Sequence, residues 1–494
     1  MKKFIYTAVV ALSLAFTSCG DYLDVNESPN SPSVDALNPS LIFPGAEMAL
    51  CNVYGDYLRI TGGYFSQQYA QYFGTSNYVD YSQFRQSAVR CDRAYTQLSM
   101  RCISNMETVR QMATKNSEWG TYLAATVIRA IAYESMVDCW GEIPYSESLD
   151  INNTSPKYDN GKDIYAGIIA ELDAALEKAT PADQVCTNML YPDEVADKWI
   201  ALANAVKLRM LMRESDAVDV KSQIAALIAE DNFPTEDVAW QGFWGNSSSS
   251  QNPYYTEEFM AGQQKNVILN LALCNTMQGS DDPRIEAFFE PNSAKKEYTG
   301  GVSGTNFATT SSYKAAYWCR PRISNNSPVY IITVSEIEFF KAEYEARYGS
   351  AAAAQEHYKA AIEASFATAG VDAPITSVLT VYPYDQTNYR RCIGIQKWVA
   401  LSGVNNFEAY CELRRLRYPA FGSVTGDEIY NVATDAYNPS ALQPGELYTP
   451  ITVNTKVGSN QLIQRWPYPE SSANRNHNAP DFPGETVPVF WAVK

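Results

Sequence analysis

Histidine is almost absent from this chain of 494 residues: only His357, in a helical pattern, and His477, in a polar C-terminal loop, are present. A nucleophilic triad needs a histidine beside its nucleophile and a zinc site needs clustered ligands, so two isolated histidines give either kind of site almost nothing to work with. The serines from Ser247 to Ser250 also lack the strand–turn–helix GxSxG context that activates a serine nucleophile. We therefore expect no catalytic residue and no metal site of these kinds.

Paired cysteine motifs are missing as well. Ten cysteines are present, but no CxxC pair occurs, so the spacing of a zinc site is absent. Most of them lie in apolar helical patterns, as Cys139 does in MVDCWG and Cys411 in EAYCELRR. A buried thiol packs as a small hydrophobic group, so we expect most to be core residues. One or two disulfides remain open if the protein is exported.

Positive charge and long apolar runs are both scarce. The chain has 38 Lys and Arg against 55 Asp and Glu, a formal net charge of −17. Nucleic acid and anionic lipid both attract clustered basic residues, which the sequence does not show, so neither is an expected partner. After the N-terminal segment no stretch approaches the roughly 18 apolar residues of a transmembrane helix, and none is expected.

The N-terminus carries the signature of export. Lys2 and Lys3 precede an apolar run from Phe4 to Phe16, which is of signal-peptide length. The run ends in Phe-Thr-Ser-Cys, the pattern that a lipoprotein signal peptidase uses, so we predict a signal peptide over 1–18 and lipidation of Cys19. Several acyl chains on one cysteine anchor firmly, because each buried methylene contributes about 0.8 kcal/mol. The prediction is an exported protein that is anchored to a membrane by lipid and does not span it; ordinary secretory cleavage is the alternative.

Two further regions follow the signal. Residues 19–45 are polar and proline-punctuated, which is typical of a flexible tether. No later break is long enough to be a linker, so 46–494 is predicted to be a single helical domain with long loops.

The clearest helical periodicity lies between residues 333 and 370. Apolar side chains recur every three or four residues in two consecutive segments, which predicts two helices joined by a tight turn. Thr333 and Glu336 are spaced as a capping box, and Gly349 and Gly370 suit the helix ends. The string AEYEARYGSAAAAQEHYKAAIEAS resembles a tetratricopeptide repeat. Other helical segments are predicted at Trp119–Trp140, Ile164–Leu176 and Trp199–Met212.

Long loops rich in aromatic and small polar residues separate these helices, and loops on a rigid scaffold often carry binding residues. A sugar ring stacks its apolar face on an aromatic plane while its hydroxyls bond to amides or charged groups. On this basis we predict a ligand-binding platform, against the alternative that the same aromatics only pack the loops. Its residues are Tyr78, Tyr81, Trp240, Trp244, Asn246, Gln251, Asn252, Tyr254, Tyr255, Tyr317 and Trp318.

Several separated strings resemble the SusD/RagB family of nutrient-binding outer-membrane lipoproteins of Bacteroidetes. They include WG-x-IPY within IRAIAYESMVDCWGEIPYSESL, and YDNGKDIYAGIIAELDAAL directly after it. WIALANAVKLRMLMR, SDDPRIEAFF, IGIQKWVALSGVNNFEAYCELRRLRYPAF and QRWPYPESSANRN follow in the family's order. The strings cover most of the chain after the signal, and together they are far more specific than any one alone.

The resemblance implies an all-α fold: a tetratricopeptide-like superhelix of helical hairpins, whose long irregular loop insertions form the ligand-binding face. It also implies a partner, a SusC-like TonB-dependent transporter, which receives the captured nutrient oligomer. The ligand is expected to be a glycan, with a peptide as the alternative, and no cofactor is implied. Two other functions stay open. They are a surface glycoside hydrolase, which needs only two carboxylates, and a non-catalytic repeat scaffold for protein interactions.

One acidic pair has two interpretations. Asp281 and Asp282 precede Pro283, where a carboxylate can cap the following helix or contribute oxygens to a structural calcium ion. The cap is the favoured interpretation.

Overall fold

The computed structural model describes residues 37–72, 77–150, 152–192, 195–247, 250–260, 266–305 and 317–493. The predicted signal peptide, Cys19 and the tether up to residue 36 lie outside this part of the chain. Helices dominate what is described, and the all-α prediction is confirmed. No helix of the described residues is long and apolar enough to cross a membrane.

Helices occur along the whole of the described chain. In order they are α1 (Pro39–Asn52), α2 (Arg59–Phe65), α3 (Val79–Ser82), α4 (Ala88–Thr96), α5 (Ser104–Asn116), α6 (Trp119–Trp140), α7 (Gly161–Leu176), α8 (Asp197–Glu214), α9 (Lys221–Glu230), α10 (Pro253–Tyr255), α11 (Leu271–Gln278), α12 (Arg284–Phe288), α13 (Val334–Tyr348), α14 (Ala351–Thr368), α15 (Thr376–Val381), α16 (Tyr389–Ala400), α17 (Asn406–Leu416), α18 (Gly426–Ile429) and α19 (Glu470–Ala473). π-helical turns lie at Val53–Leu58, Gln97–Ile103 and Thr256–Met260, and 3₁₀ turns at Gln386–Asn388 and Pro439–Ala441.

The strands are short and pair only in twos within the described residues. They are β1 (Tyr69–Gln71), β2 (Ile143–Pro144), β3 (Tyr158–Asp159), β4 (Val238–Trp240), β5 (Val267–Leu269), β6 (Phe289–Glu290), β7 (Arg320–Pro321), β8 (Val329–Ile332), β9 (Ala420–Thr425), β10 (Tyr430–Asn431), β11 (Ala436–Tyr437) and β12 (Glu446–Thr449). Strands β1–β5, β2–β3, β4–β8, β6–β7 and β10–β11 pair antiparallel, whereas β9 and β12 run parallel. These pairs fasten loops to one another and do not build a sheet layer.

The ordered body begins earlier than the sequence predicts. Helix α1 starts at Pro39, because Asn38 caps it by accepting a hydrogen bond from the Leu41 amide and proline is well suited to the first helical position. Phe43 is already fully buried in the core. The boundary predicted at residue 45 is therefore wrong, and residues 39–45 belong to the body and not to the tether.

The predicted hairpin is present as α13 and α14, which pack closely against each other. Thr333 caps α13 by accepting from the Glu336 amide at 3.2 Å, as predicted. The second half of the capping box is absent, because neither carboxylate oxygen of Glu336 has a hydrogen-bond partner. Gly349 follows the end of α13, and Gly370, with φ of +67°, follows α14. Only one of the two predicted box bonds therefore forms.

Helix α6 is buried around almost its whole circumference and packs against α5, α7 and α8. Its polar side chains therefore need partners inside the protein. Arg209 donates two hydrogen bonds to Glu134, from Nε at 3.0 Å and from Nη2 at 2.6 Å. Arg213 forms ion pairs with Glu134, Asp138 and Glu408. This fully buried network joins α6, α8 and α17.

The main hydrophobic cluster includes residues from Phe43 to Ala492, so both ends of the described chain contribute to it. A second cluster lies around the α13–α14 hairpin, α15 and α16. The nine cysteines of the described residues carry free thiols, and all but Cys186 are buried. The prediction that most cysteines pack in the core is confirmed.

Candidate functional site

A cavity of about 300 Å³ lies where the junction of α1 and α2 meets α3, α4 and the π-helical turn Thr256–Met260. We call it the tyrosine cavity. Its volume is at the lower end of the range for small-molecule sites. Its lining residues are Asn52, Val53, Asp56, Tyr57, Ile60, Asn77, Tyr78, Tyr81, Arg90, Arg93, Ala94, Gln97 and Glu257.

Asp56 is the most unusual polar group of the tyrosine cavity. It lies in the π-helical turn Val53–Leu58, where the helix widens between α1 and α2. π-helical turns occur often at functional sites. The Asp56 carboxylate makes no hydrogen bond and no ion pair with the described residues. Burial, followed by repulsion from Glu257, raises its pKa to about 7 against the attraction of Arg93.

Two stacked tyrosines form one wall. The rings of Tyr78 and Tyr81 are 5.6 Å apart with an interplanar angle of 15°. Tyr78 adopts a left-handed backbone conformation, with φ of +60°, and its hydroxyl donates to Glu257 Oε1 at 3.2 Å. Burial raises the pKa of Tyr81 to about 12, so its hydroxyl stays protonated at neutral pH. Both side chains are themselves buried, with Tyr78 8 % and Tyr81 3 % exposed, so the wall offers the cavity little ring surface.

Arginines from α4 lie at the rim. The Arg90 guanidinium lies 5.4 Å from the centre of the Tyr81 ring and pairs with Asp80 at 3.4 Å. Arg93 is exposed and forms no ion pair within 4 Å among the described residues. Gln97, one helical turn further, contributes an amide. Donors at the rim thus face the carboxylates of Asp56 and Glu257.

Such an arrangement suits a polyhydroxylated ligand. Its carboxylates accept hydrogen bonds from hydroxyls and its guanidinium groups donate to oxygens, whereas the buried rings of Tyr78 and Tyr81 leave little face for stacking. It also contains the two carboxylates that glycoside hydrolysis requires. Within the described residues no cluster of three or more His, Cys, Asp or Glu is arranged to hold a metal ion.

Of the predicted platform residues, only Tyr78 and Tyr81 line the tyrosine cavity. Three others are fully buried, which corrects their prediction as ligand contacts. Trp240 ends β4, and its indole donates to Glu47 Oε1 at 2.9 Å. Tyr254 stacks on Tyr69 at 6.3 Å with an angle of 5°. Asn252 caps α10 through the Tyr255 amide. Their aromatic and amide groups are used in packing.

The loop before β7 also differs from the prediction. Trp318 is only 3 % exposed and packs edge-on against Tyr437 at 6.0 Å, so it is a core residue and not a stacking platform. Tyr317 is half-buried, with the Lys295 ammonium 6.0 Å from the centre of its ring. Neither residue lines the tyrosine cavity.

The remaining platform residues lie around β4 and α10, and none lines the tyrosine cavity. Trp244 packs on Phe243 at 4.3 Å. Gln251 donates to the Asn246 carbonyl at 3.0 Å, which closes the loop between them. Tyr255, half-buried, stacks on Phe259 at 5.4 Å. Their role as ligand contacts stays a prediction.

Sequence reasoning missed Asp56, Arg90, Arg93 and Glu257. A signal was present for Asp56, because it is the one charged residue in the otherwise mostly apolar string VYGDYL. A buried helix rarely holds an acidic residue without a partner. Arg90 and Arg93 lie in RQSAVRCDR, directly after the aromatic loop that contains Tyr78 and Tyr81.

The two aspartates before α12 lie in different environments. Asp282 is buried and accepts hydrogen bonds from the Arg284 amide at 3.0 Å and from its guanidinium. The N-cap position of α12 is Pro283 and no side chain caps the helix there, so the favoured capping interpretation is wrong and Asp282 instead forms a local turn and an ion pair with Arg284. Asp281 is exposed, and calcium binding stays untested.

Comparison with known families decides the identity of the fold. A family with the description "Starch-binding associating with outer membrane" matches residues 41–439. The chain belongs to the SusD-like family. The resemblance seen in its sequence strings is thereby confirmed, and the family associates with the outer membrane. No curated protein sequence matches this SusD-like chain.

Solved structures show the same fold. A SusD homologue from Bacteroides uniformis is 21 % identical, covers 91 % of this chain and 99 % of its own, and has a TM-score of 0.69. A chitin-binding SusD homologue from Flavobacterium johnsoniae is 17 % identical, with coverages of 92 % and 96 % and a TM-score of 0.70. A SusD homologue from Bacteroides vulgatus is 18 % identical, with coverages of 89 % and 92 % and a TM-score of 0.69. At these identities the likeness concerns the fold alone.

Proposed function

We propose that this SusD-like protein is a surface lipoprotein that binds a nutrient glycan in the tyrosine cavity and delivers it to a SusC-like TonB-dependent transporter. Membership of a starch-binding family supports a glycan ligand. The observation that carries the site is the Asp56 carboxylate, which has no partner among the described residues and shares one cavity with Glu257 and the exposed Arg93 guanidinium. Lipidation of Cys19 holds the protein at the membrane.

A ligand hydroxyl donates the hydrogen bond that the Asp56 carboxylate does not receive from the described residues. A carboxylate that is largely removed from water and has no hydrogen-bond partner is costly. A sugar hydroxyl that donates to Asp56 offsets that cost, while Arg93 at the rim donates to another ring substituent. The protein needs no chemical step for this function, since capture and release are enough for delivery.

Glycoside hydrolysis is the second candidate, and the shared cavity of Asp56 and Glu257 favours it. A general acid needs a carboxyl group whose pKa lies near the working pH, which Asp56 satisfies. Asp56 and Glu257 have a simpler role as binding groups, because the Tyr78 hydroxyl already donates to Glu257 and holds its carboxylate at the cavity wall. We therefore propose binding without turnover.

Isothermal titration of the purified chain with maltohexaose and chitohexaose tests the binding site. Loss of a charge-assisted hydrogen bond costs about 1.5–3 kcal/mol, so Asp56→Asn and Arg93→Ala should each weaken binding at least about tenfold. Asp372→Asn and Arg475→Ala change exposed residues outside the cavity and serve as matched controls. Affinity that is unchanged in both cavity variants rejects the site.

Release of reducing ends in the same samples separates binding from hydrolysis. We expect none from the wild-type protein. Turnover that disappears in both Asp56→Asn and Glu257→Gln would establish the hydrolase instead. Delivery is tested by purification from outer membranes, where the lipidated chain should carry a TonB-dependent barrel with it and a Cys19→Ser chain should leave the membrane fraction.

A further inference from the structure

A second depression, about 470 Å³ in volume, lies between α11 and the segment that follows β11. We call it the amide cleft. It shares no lining residue with the tyrosine cavity. Its walls come from three stretches of the chain, namely α11, residues 298–300 and residues 437–444.

The lining of the amide cleft is polar but uncharged. Side-chain amides come from Asn275, Gln278 and Gln443, and among the described residues no Asp, Glu, Lys or Arg lines it. The chain carries 93 such charged residues in total, so a depression of this size without a charged lining residue is unusual for this protein. An uncharged lining favours an uncharged ligand, because an ion would lose its hydration without gaining a counter-charge.

Two tyrosines supply apolar faces. Tyr298 and Tyr437 are both half-buried, so part of each ring remains exposed. The Tyr298 hydroxyl has no hydrogen-bond partner among the described residues. The Tyr437 hydroxyl donates to the Gly300 carbonyl at 2.6 Å, and its ring packs against Trp318. One ring is therefore held in place and the other retains a free donor.

Hydrogen bonds also hold the walls in position. Asn275 donates to the carbonyls of Pro439 and Leu442, each at 2.9 Å, and so fastens the 437–444 segment to α11. Gln278 donates to the Tyr298 carbonyl at 3.2 Å, which fastens the opposite wall to the same helix. A site that is already formed loses little conformational freedom when a ligand binds.

We propose that the amide cleft is a second glycan site, selective for an uncharged sugar, which acts independently of the tyrosine cavity. Tyr298 provides a stacking face and a hydroxyl, and Gln443 provides an exposed amide that has no hydrogen-bond partner in the described part of the chain. The proposal commits to neutral sugars because the lining offers hydrogen bonds in both directions and no charge.

Four proteins test this proposal by isothermal titration with three neutral probes: maltohexaose, cellohexaose and chitohexaose. They are the wild type, a cavity variant (Asp56→Asn with Arg93→Ala), a cleft variant (Tyr298→Ala with Gln443→Ala) and the combination of all four changes. At least one probe should bind the cavity variant, and the combined variant should bind it about tenfold more weakly or not at all. Tyr348→Ala, a half-buried tyrosine outside both sites, is the control for the loss of a ring.

Each outcome decides one of the two sites. Residual binding in the cavity variant that the cleft changes leave intact overturns the amide cleft, as does absence of any binding in the cavity variant. Binding that only the cleft changes abolish supports the cleft and removes the tyrosine cavity from the proposed function. A wild-type chain that binds none of the three probes overturns the cleft site. Thermal unfolding of the cleft variant should match that of Tyr348→Ala, since Tyr298 and Tyr348 are both half-buried and Gln443 is exposed.

Discussion

Glu336 should be a destabilising residue, and replacing it with glutamine should stabilise the protein. Its side chain is 1 % exposed, and neither carboxylate oxygen has a hydrogen-bond partner. Burial, followed by repulsion from Glu408, raises its pKa from 4.5 to about 8. The folded protein therefore keeps Glu336 protonated at neutral pH, whereas the unfolded chain ionises it.

The sign and size of the effect follow from this difference. Below pH 4.5 both states hold the proton, so the group has no effect on the free energy of unfolding. Above that value the unfolded state releases the proton first, and each pH unit costs the folded state about 1.4 kcal/mol. The cost is about 3 kcal/mol at pH 7 and levels off near 5 kcal/mol above pH 8. Glutamine cannot ionise, so Glu336→Gln removes it.

Urea unfolding of the wild type and of Glu336→Gln at pH 4.5, 6, 7 and 8.5 measures this difference. The variant should equal the wild type at pH 4.5 and become progressively more stable as the pH rises. The Glu336 amide still donates to Thr333 in both proteins, so the helix cap is unaffected. A variant that is less stable at pH 8.5, or a difference that does not vary with pH, would refute the reasoning. Glu338→Gln, a neighbouring carboxylate with two basic partners, is the contrasting control.

Three other perturbations have defined outcomes. Arg213→Met should destabilise the fold by about 3–5 kcal/mol, measured by urea unfolding, because it removes an arginine that pairs with three buried carboxylates and leaves Asp138 without an ion pair among the described residues. Trp240→Phe should lower thermal stability, with a loss of about 1–3 kcal/mol, because Glu47 loses an indole donor. Glycan affinity at the tyrosine cavity should rise as the pH increases through 7, where Asp56 ionises and becomes a better acceptor, and Asp56→Asn should abolish that dependence.

Local patterns in the sequence were sufficient for the long helices. Recurring apolar residues located α6, α7, α8 and the α13–α14 hairpin, because these helices bury most of their apolar side chains. The start of α1 was misplaced, since the proline at its first position was interpreted as part of a polar tether. The N-terminal bound of the helical domain depends on one cap, Asn38, and such a cap is a weaker signal in a sequence than apolar periodicity.

The aromatic loops were harder to interpret, because burial there depends on distant partners. Trp240 is covered when β4 pairs with β8, about 90 residues away, and no local pattern encodes that pairing. The same holds for Trp318, which is covered by Tyr437. A loop aromatic that stacks on a ligand and one that packs on a remote strand have the same sequence environment. Composition therefore could not separate Tyr78 and Tyr81, which line the tyrosine cavity although they are only 8 % and 3 % exposed, from buried aromatics that do not reach it.

The buried aromatics nevertheless bear on ligand binding. Glu47 on α1 accepts from the Trp240 indole at 2.9 Å and from the Met189 amide at 2.7 Å, so two distant loops are fastened to the helix that continues into the turn carrying Asp56. Burial raises the pKa of Glu47 to about 7, against the effect of these donors. The floor of the tyrosine cavity is thus supported by contacts made outside it. A cavity held in this way loses little entropy on binding, because the loop aromatics are already ordered by packing before any sugar arrives.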